Sequence, residues 1–143
     1  MAVSVVYWSA TGNTQAMAEA IAEGIKEAGK EVATLTVDEA NVDAIVSEKA
    51  FALGCPAMGD EVLEEGEMEP FVEALEGKVS GKNILLFGSY DWGDGEWMRQ
   101  WVERMQKAGA NIVTGEGVMA NNDPDDDESS ACKAAGKALA ALA

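Results

Sequence analysis

Hydrophobic residues form short continuous runs that alternate with longer segments of helical spacing. Ala2 to Trp8 is almost continuously apolar, as expected for a strand covered on both faces of a sheet. Ala50 to Gly54 and Asn83 to Phe87 show the same pattern and predict two more buried strands. Glu31 to Val37 and Asn111 to Met119 mix apolar with polar residues, which predicts strands at the two edges of the sheet.

Five helices are predicted between and after these runs, because apolar side chains recur there with a period of three to four residues. Asn13 or Thr11 is expected to cap the first helix and Asn41 the second, with Pro70 at the first position of the third. Gly29 and Gly109 are expected to end the first and fourth. The expected apolar stripes are Met17, Ala18, Ile21, Ala22, Ile25 and Ala28; Val42, Ile45 and Val46; Phe71, Val72 and Leu75; Trp97, Met98, Trp101, Val102 and Met105; and, in the last helix from Ser129 to Ala143, Leu139 and Leu142.

Strands that alternate with helices predict an α/β protein with three layers, in which helices cover both faces of a five-stranded parallel sheet. The sequence contains no linker, repeat or shift in composition. A chain of 143 residues suits one domain, so we expect residues 1–143 to form a single domain.

The candidate site follows from this architecture, because open α/β sheets bind ligands beyond the carboxyl ends of their central strands. Three loops leave those ends: Ser9 to Thr14, Cys55 to Glu61, and Ser89 to Gly95. The first combines three hydroxyl side chains with a predicted helix N-terminus and contains no Lys or Arg. Such a loop is suited to an anion held by backbone dipoles and hydroxyl groups.

Several familiar nucleotide and phosphate sites are excluded at this loop. It has one glycine, Gly12, where a dinucleotide fold needs G-x-G-x-x-G, and no lysine for a P-loop. It also lacks the Cys and Arg of a phosphotyrosine phosphatase. A receiver domain is excluded as well, because the predicted strands end in Trp8-Ser9 and Gly54-Cys55 rather than in acidic residues.

Charge and composition argue against several classes of partner and of catalytic chemistry. The chain has 26 acidic and 10 basic residues, a net charge of −16, which argues against nucleic acids and anionic membranes as partners. It has no histidine, so triad hydrolysis and zinc chemistry are not expected. Cys55 and Cys132 form no C-x-x-C pair, and no signal peptide or membrane-spanning run is visible. A cytoplasmic protein is expected.

The three loops together resemble those of a known family. Ser9-x-Thr11-Gly12-x-Thr14 resembles the FMN phosphate loop of flavodoxins. Gly54-Cys55-Pro56-Ala57-Met58-Gly59-Asp60-Glu61 and Gly88-Ser89-Tyr90-Asp91-Trp92-Gly93-Asp94-Gly95 are similar to the two flavin loops of short-chain flavodoxins from anaerobic bacteria. The resemblance spans nearly the whole chain and implies the strand order 2-1-3-4-5 of the flavodoxins themselves.

The resemblance also implies a role for each loop. The first would hold the FMN phosphate, while Trp92 and Met58 would cover the two faces of the flavin ring. The peptide at Gly59 would flip on reduction and accept a hydrogen bond from flavin N5, and Glu61 would reach flavin N3–H. The expected FMN-binding residues are Ser9, Ala10, Thr11, Gly12, Asn13, Thr14, Pro56, Ala57, Met58, Gly59, Asp60, Glu61, Ser89, Tyr90, Asp91, Trp92 and Gly93, with no catalytic or metal-binding residue.

The implied function is low-potential transfer of single electrons between redox enzymes, by a monomer whose non-covalent FMN cycles between semiquinone and hydroquinone. Its acidic surface would dock transiently, in a salt-dependent manner, on basic patches of larger redox enzymes. One alternative is a small FMN-dependent reductase of quinones, and another is a flavodoxin-like signalling domain that binds no flavin.

One position departs from the family pattern, and two others align with it ambiguously. The family usually has glycine between the Tyr and Trp of the third loop, where this chain has Asp91. Asp tolerates a left-handed backbone better than most residues, so the loop geometry could survive the exchange. Asn121 and Asn122 align ambiguously, and no flavin contact is assigned to them.

Overall fold

The three-layer α/β arrangement expected from the sequence is present in the computed structural model, which describes residues 3–9, 12–58, 62–91, 93, 95–122 and 124–143. The strands are β1 (Val3–Tyr7), β2 (Val32–Thr36), β3 (Ala50–Gly54), β4 (Asn83–Tyr90), β5 (Asn111–Ile112) and β6 (Val118–Asn121). The helices are α1 (Asn13–Glu27), α2 (Val42–Val46), α3 (Met68–Glu76), α4 (Glu96–Lys107) and α5 (Asp126–Ala141), with a short 3₁₀ helix at Val37–Glu39.

The sheet is parallel, in the order β2-β1-β3-β4-β5, which confirms the predicted topology. Strand β2 lies at one edge, as its mixed polarity indicated. The fifth predicted strand is not continuous: both β5 and β6 pair with β4, and residues 113–117 turn out of the sheet between them. Thr114 and Gly115 have φ angles of 69° and 78°, a left-handed conformation that lies outside the geometry of a regular strand.

Strand β4 is longer than the sequence predicted, because Gly88 to Tyr90 continue the strand instead of forming a loop. These three residues pair with Met119, Ala120 and Asn121 of β6. The predicted loop at this position therefore begins only after Tyr90. The pairing partner lies some thirty residues later in the chain, so local pattern gave no sign of it.

Several predicted helix boundaries are corrected. Gly12, with φ of 93°, is the cap residue of α1, in place of Asn13 or Thr11, and Thr11 lies outside the described residues. Helix α3 begins at Met68, so Pro70 is its third residue. The Glu64 carboxylate accepts the N–H groups of Gly66, Glu67 and Met68 at 2.6, 2.7 and 3.0 Å, which explains the earlier start. Pro70 is tolerated there because the first N–H groups of a helix have no intrahelical acceptor.

Three other helix ends are explained by the residues at or next to the cap position. Asn41 caps α2 as predicted, its Oδ1 accepting the Ala44 N–H at 3.0 Å. Gly29, with φ of 86°, follows α1 as predicted. Helix α5 begins three residues earlier than expected, because Asp125 and Glu128 form a reciprocal capping box.

Alternating strand residues divide the core between the two faces of the sheet. Val5, Ala52 and Leu85 pack under α1 and α5, whereas Val6, Leu53 and Leu86 pack under α2, α3 and α4. The predicted helical stripes are buried or partly buried, apart from Ala28 and Leu142, which are exposed. Both lie where a helix ends and the chain turns into solvent. Among the described helices, none has the length and apolar character needed to cross a membrane.

Helices α1 and α5 approach each other so closely that glycine is required at the contact. A Cβ atom on Gly24 would lie 2.1 Å from the Lys133 carbonyl oxygen. One on Gly136 would lie 2.2 Å from the Ile21 carbonyl oxygen. This contact fixes α1, whose first residues form part of the candidate site.

Candidate functional site

A cleft of about 260 Å³ opens at the carboxyl ends of β1, β3 and β4, where the winding of the sheet reverses. Residues of all three predicted loops meet there, so the structure brings together segments that are far apart in sequence. The described residues that line the cleft are Trp8, Asn13, Pro56, Ala57, Met58, Ser89, Tyr90, Asp91 and Asn122.

One end of the cleft is the N-terminus of α1. Gly12 has φ of 93° and no side chain with which to cap the helix, and its N–H donates to Ser9 Oγ at 3.1 Å. Glycine adopts this left-handed conformation at little cost, and the turn leads the chain from the loop into the helix. Backbone N–H groups and the positive end of the helix dipole are thereby presented to an anion.

Thr14 connects this helix end to β4. Its hydroxyl is buried, lies 2.9 Å from Ser89 Oγ, and accepts the Ser89 N–H at 3.3 Å. A hydroxyl accepts two hydrogen bonds and donates one, so Thr14 can accept both Ser89 donors and still donate its own proton. The pair positions the N-terminus of α1 directly against the strand that carries the third loop.

Cys55–Met58, which we call the ring loop, forms another wall and is fixed by main-chain hydrogen bonds. The Ala57 N–H donates to the Ser89 carbonyl at 3.0 Å. Met58 and Val62 exchange two N–H···O bonds, of 2.9 and 3.0 Å, in an isolated antiparallel bridge. Pro56, Ala57 and Met58 therefore present an apolar surface that is tied to its neighbours on both sides.

Two aromatic side chains line the same cleft. Tyr90, at the end of β4, is half-buried, and its ring centre lies 5.8 Å from that of Trp97 at an interplanar angle of 48°. Trp8, which the apolar pattern placed at the end of the first predicted strand and to which no ligand contact was assigned, follows β1 and also lines the cleft. Trp8 lies one residue beyond the end of the strand, next to the loop from Ser9 to Thr14, and this position could have identified it as a lining residue of the cleft.

Asn122 is a second residue that sequence reasoning missed. It has φ of 58°, its N–H donates to the Tyr90 carbonyl at 2.7 Å, and it lines the cleft. Beside it, Asn121 Nδ2 donates to the Asp91 carbonyl at 3.4 Å. Asp91 is not among the described non-glycine residues with positive φ, so the exchange of glycine for aspartate requires no left-handed backbone here.

The other predicted site residues fall into three groups. Ser9, Gly12 and Thr14 lie beside the cleft at the start of α1, whereas Gly93, with φ of 93°, is exposed and outside its lining. Ala10, Thr11, Gly59, Asp60, Glu61 and Trp92 lie outside the described residues.

The electrostatic character of the cleft is weakly negative. Asp91 is the charged residue among its described lining, which includes neither lysine nor arginine. Burial raises the pKa of the Cys55 thiol at the base of the ring loop to about 12, so that group is neutral. The described part of the chain contains no group of His, Cys, Asp and Glu side chains suited to a metal ion. The cleft is suited to a ligand with an anionic group at one end and a flat apolar ring at the other.

Comparison with known proteins gives matches over almost the whole chain. The family model described as Flavodoxin matches residues 5–136. A flavodoxin of Clostridium beijerinckii is 51% identical over 138 residues, which are 96% of this chain and 99% of the relative. A flavodoxin of Megasphaera elsdenii is 45% identical over 96% of this chain and 98% of the relative. The solution structure of two-electron reduced M. elsdenii flavodoxin matches with a TM-score of 0.89 at 44% identity, covering 97% of this chain and 98% of that one.

Proposed function

Because the chain belongs to the flavodoxin family, in its short-chain type, we propose that the cleft described above is where it binds its cofactor. It is an FMN-binding electron-transfer protein and not an enzyme, and the quinone reductase alternative is not favoured. One observation carries the assignment of the site: an uncapped helix N-terminus and an aromatic, apolar cleft lie side by side at the switch point of the sheet.

The phosphate of FMN would bind at the start of α1. Gly12 allows the main chain to approach the phosphate, and the hydroxyl groups of Ser9 and Thr14 lie on the same helix end. Charge-assisted hydrogen bonds of this kind are about twice as strong as neutral ones. They can therefore hold a dianion without a basic side chain. Ala10, Thr11 and Asn13 complete this part of the proposed site on the strength of the loop sequence.

The flavin ring would bind between the ring loop and the end of β4. Pro56, Ala57 and Met58 offer an apolar surface, and Tyr90 an aromatic one. Aromatic side chains favour offset or edge contacts with other flat rings. Ser89, Asp91 and Gly93, together with Gly59, Asp60, Glu61 and Trp92, are proposed for the ring site from the resemblance of the two flavin loops.

FMN supplies the electron chemistry, since flavins accept and donate single electrons, while the protein sets its environment. Asp91 places a negative charge on the lining of the cleft, and the chain as a whole carries a net charge of −16. Added negative charge on the ligand is disfavoured near like charges. We therefore propose that the protein makes full reduction of FMN difficult and operates at low potential.

Flavodoxins are redox partners of larger enzymes. For this chain we propose basic docking patches on those enzymes, because 26 acidic residues oppose only 10 basic ones. Attraction of this type accelerates encounter and weakens with salt. We also propose that residues 1–143 form a single FMN-binding domain that works as a monomer. Two free thiols, both buried, are consistent with the proposed cytoplasmic location.

The phosphate assignment can be tested at Thr14. Thr14→Val keeps the shape of the side chain but removes the hydroxyl, and we expect FMN to bind at least about tenfold more weakly, since a hydrogen bond to a charged group contributes about 1.5–3 kcal/mol. Thr14→Ser, which retains the hydroxyl, should bind FMN nearly as well as the unaltered protein. Affinities are measured by titrating each apoprotein with FMN and following the quenching of flavin fluorescence.

Riboflavin, which is FMN without its phosphate, is the control ligand. Thr14→Val should leave riboflavin affinity nearly unchanged. Equal weakening of both ligands would contradict the assignment, because Thr14 would then act on the ring site through Ser89. Urea unfolding of each apoprotein separates either result from a loss of stability caused by the unpaired Ser89 N–H.

A further inference from the structure

Trp97 and Trp101 occupy equivalent places on α4 but differ in their hydrogen bonding. They lie one helical turn apart and are 1% and 2% exposed. The Trp97 indole N–H donates to the Cys55 carbonyl at 3.1 Å. The Trp101 indole N–H is buried and has no acceptor in the part of the chain that the structure describes. Of these two tryptophans, Trp97 is therefore the one bonded to the ring loop.

The carbonyl that Trp97 holds belongs to the first residue of the ring loop. Cys55 is completely buried, and its N–H donates to the Phe87 carbonyl of β4 at 3.1 Å. Its sulfur accepts the Glu64 N–H at 3.3 Å. Trp97 thus completes a set of contacts from β4, from α4 and from the segment that precedes α3. These contacts fix the direction in which the chain leaves β3.

Gly88 shows how little space surrounds the Cys55 carbonyl group. A Cβ atom on Gly88 would lie 2.1 Å from the Cys55 carbonyl oxygen and 3.2 Å from Trp97 Cζ2. The carbonyl is therefore enclosed between β4 and the indole ring. If the indole N–H were removed, the carbonyl would have no room to turn toward β4 for another partner, and a buried carbonyl without a donor is unfavourable.

Trp97 also contacts the other wall of the cleft. Its ring centre lies 5.8 Å from that of Tyr90, which lines the cleft together with Pro56 and Met58. We propose that Trp97 is a positioning residue for the flavin. It holds the ring loop through the Cys55 carbonyl and packs against the ring of Tyr90. This inference rests on the proposed function of the cleft, and Trp97 itself is not among the described residues that line the cleft.

Phenylalanine substitutions at the two tryptophans provide a matched test. Trp97→Phe and Trp101→Phe each replace one buried indole on the same helix with a smaller phenyl ring, but only the first removes a hydrogen bond to the ring loop. We expect Trp97→Phe to weaken FMN binding by about five- to tenfold, from the usual net contribution of one hydrogen bond. It should also shift the one-electron midpoint potential of the bound flavin. Trp101→Phe should stay within about twofold of the unaltered protein in FMN affinity and leave the potential unchanged.

The unaltered protein is titrated with FMN first, and its failure to bind would contradict the proposed function of the cleft itself. If it binds FMN but the two variants have equal affinities and equal potentials, the role of Trp97 is overturned while the cleft stands.

Hydrogen exchange of the indole groups in the unaltered protein provides a second test, which does not depend on the variants folding. Coupling between two events is reciprocal, so FMN should slow exchange of the Trp97 indole N–H by about the factor by which the bond favours FMN. Five- to tenfold slowing at Trp97, with much less at Trp101, is the expected NMR result. Equal slowing at both indoles would overturn the proposal.

Discussion

Riboflavin is expected to bind the apoprotein about a thousandfold more weakly than FMN. The two ligands differ by the phosphate, which we place at the N-terminus of α1 beside Gly12. Each hydrogen bond to a charged group contributes about 1.5–3 kcal/mol, and the end of a helix dipole contributes up to about 2 kcal/mol. Two such bonds and the dipole together contribute roughly 3–8 kcal/mol, and about 4 kcal/mol already corresponds to three powers of ten in affinity. Calorimetric titration of the apoprotein with each ligand measures the ratio.

The salt dependence of FMN binding distinguishes a dipolar phosphate site from a basic one. The loop from Ser9 to Thr14 contains neither lysine nor arginine, and the protein carries a net charge of −16. Salt screens the repulsion between this charge and the phosphate, so FMN affinity should rise with ionic strength. A ratio of riboflavin to FMN dissociation constants below ten, or FMN binding that weakens with salt, would contradict the assignment.

Gly136→Ala is expected to lower the free energy of unfolding by about 1–2 kcal/mol. The added Cβ atom would lie 2.2 Å from the Ile21 carbonyl oxygen, a main-chain atom that can move only if α1 moves away from α5. Overpacking of a tight contact costs about 1–3 kcal/mol. Alanine is the better helix former by about 1 kcal/mol, so a purely local effect would have the opposite sign. Urea unfolding of the apoprotein gives the value.

Gly77→Ala is the matched control for this substitution. Gly77 ends α3 with φ of −83°, and an added Cβ atom there has nothing within 4 Å. Alanine should therefore be neutral or stabilise by up to about 1 kcal/mol, by reducing the freedom of the unfolded chain. If Gly136→Ala proved as stable as Gly77→Ala, the close packing of α1 on α5 would not be a determinant of stability.

The architecture was predictable because it depends on patterns that are local and strong. Continuous apolar runs such as Ala50–Gly54 indicate strands covered on both faces, and the spacing of Met17, Ile21 and Ile25 indicates a helix with one buried side. Once strands and helices alternate, the parallel sheet and its ligand-binding edge follow from general rules of topology. The meeting of three loops at one cleft could be inferred for the same reason.

What could not be predicted depends on contacts between distant segments. The extension of β4 to Tyr90 requires the later strand β6 as a partner. The burial of the Thr14 hydroxyl against Ser89 joins residues 75 positions apart. Trp8 and Asn122 line the cleft because of where their strands end in space, which the residue types alone do not reveal. The acceptor of the Trp97 indole N–H is likewise set by the docking of α4 on β3 and β4.

Stepwise reduction of the FMN-loaded protein shows whether it carries single electrons at low potential. The holoprotein is titrated anaerobically with dithionite while its visible spectrum is recorded, and it is then mixed with NAD(P)H and with a quinone. We expect two separate one-electron steps, the second at low potential, with no catalytic consumption of NAD(P)H or quinone. Reduction in a single two-electron step, or multiple turnovers of quinone, would contradict this expectation.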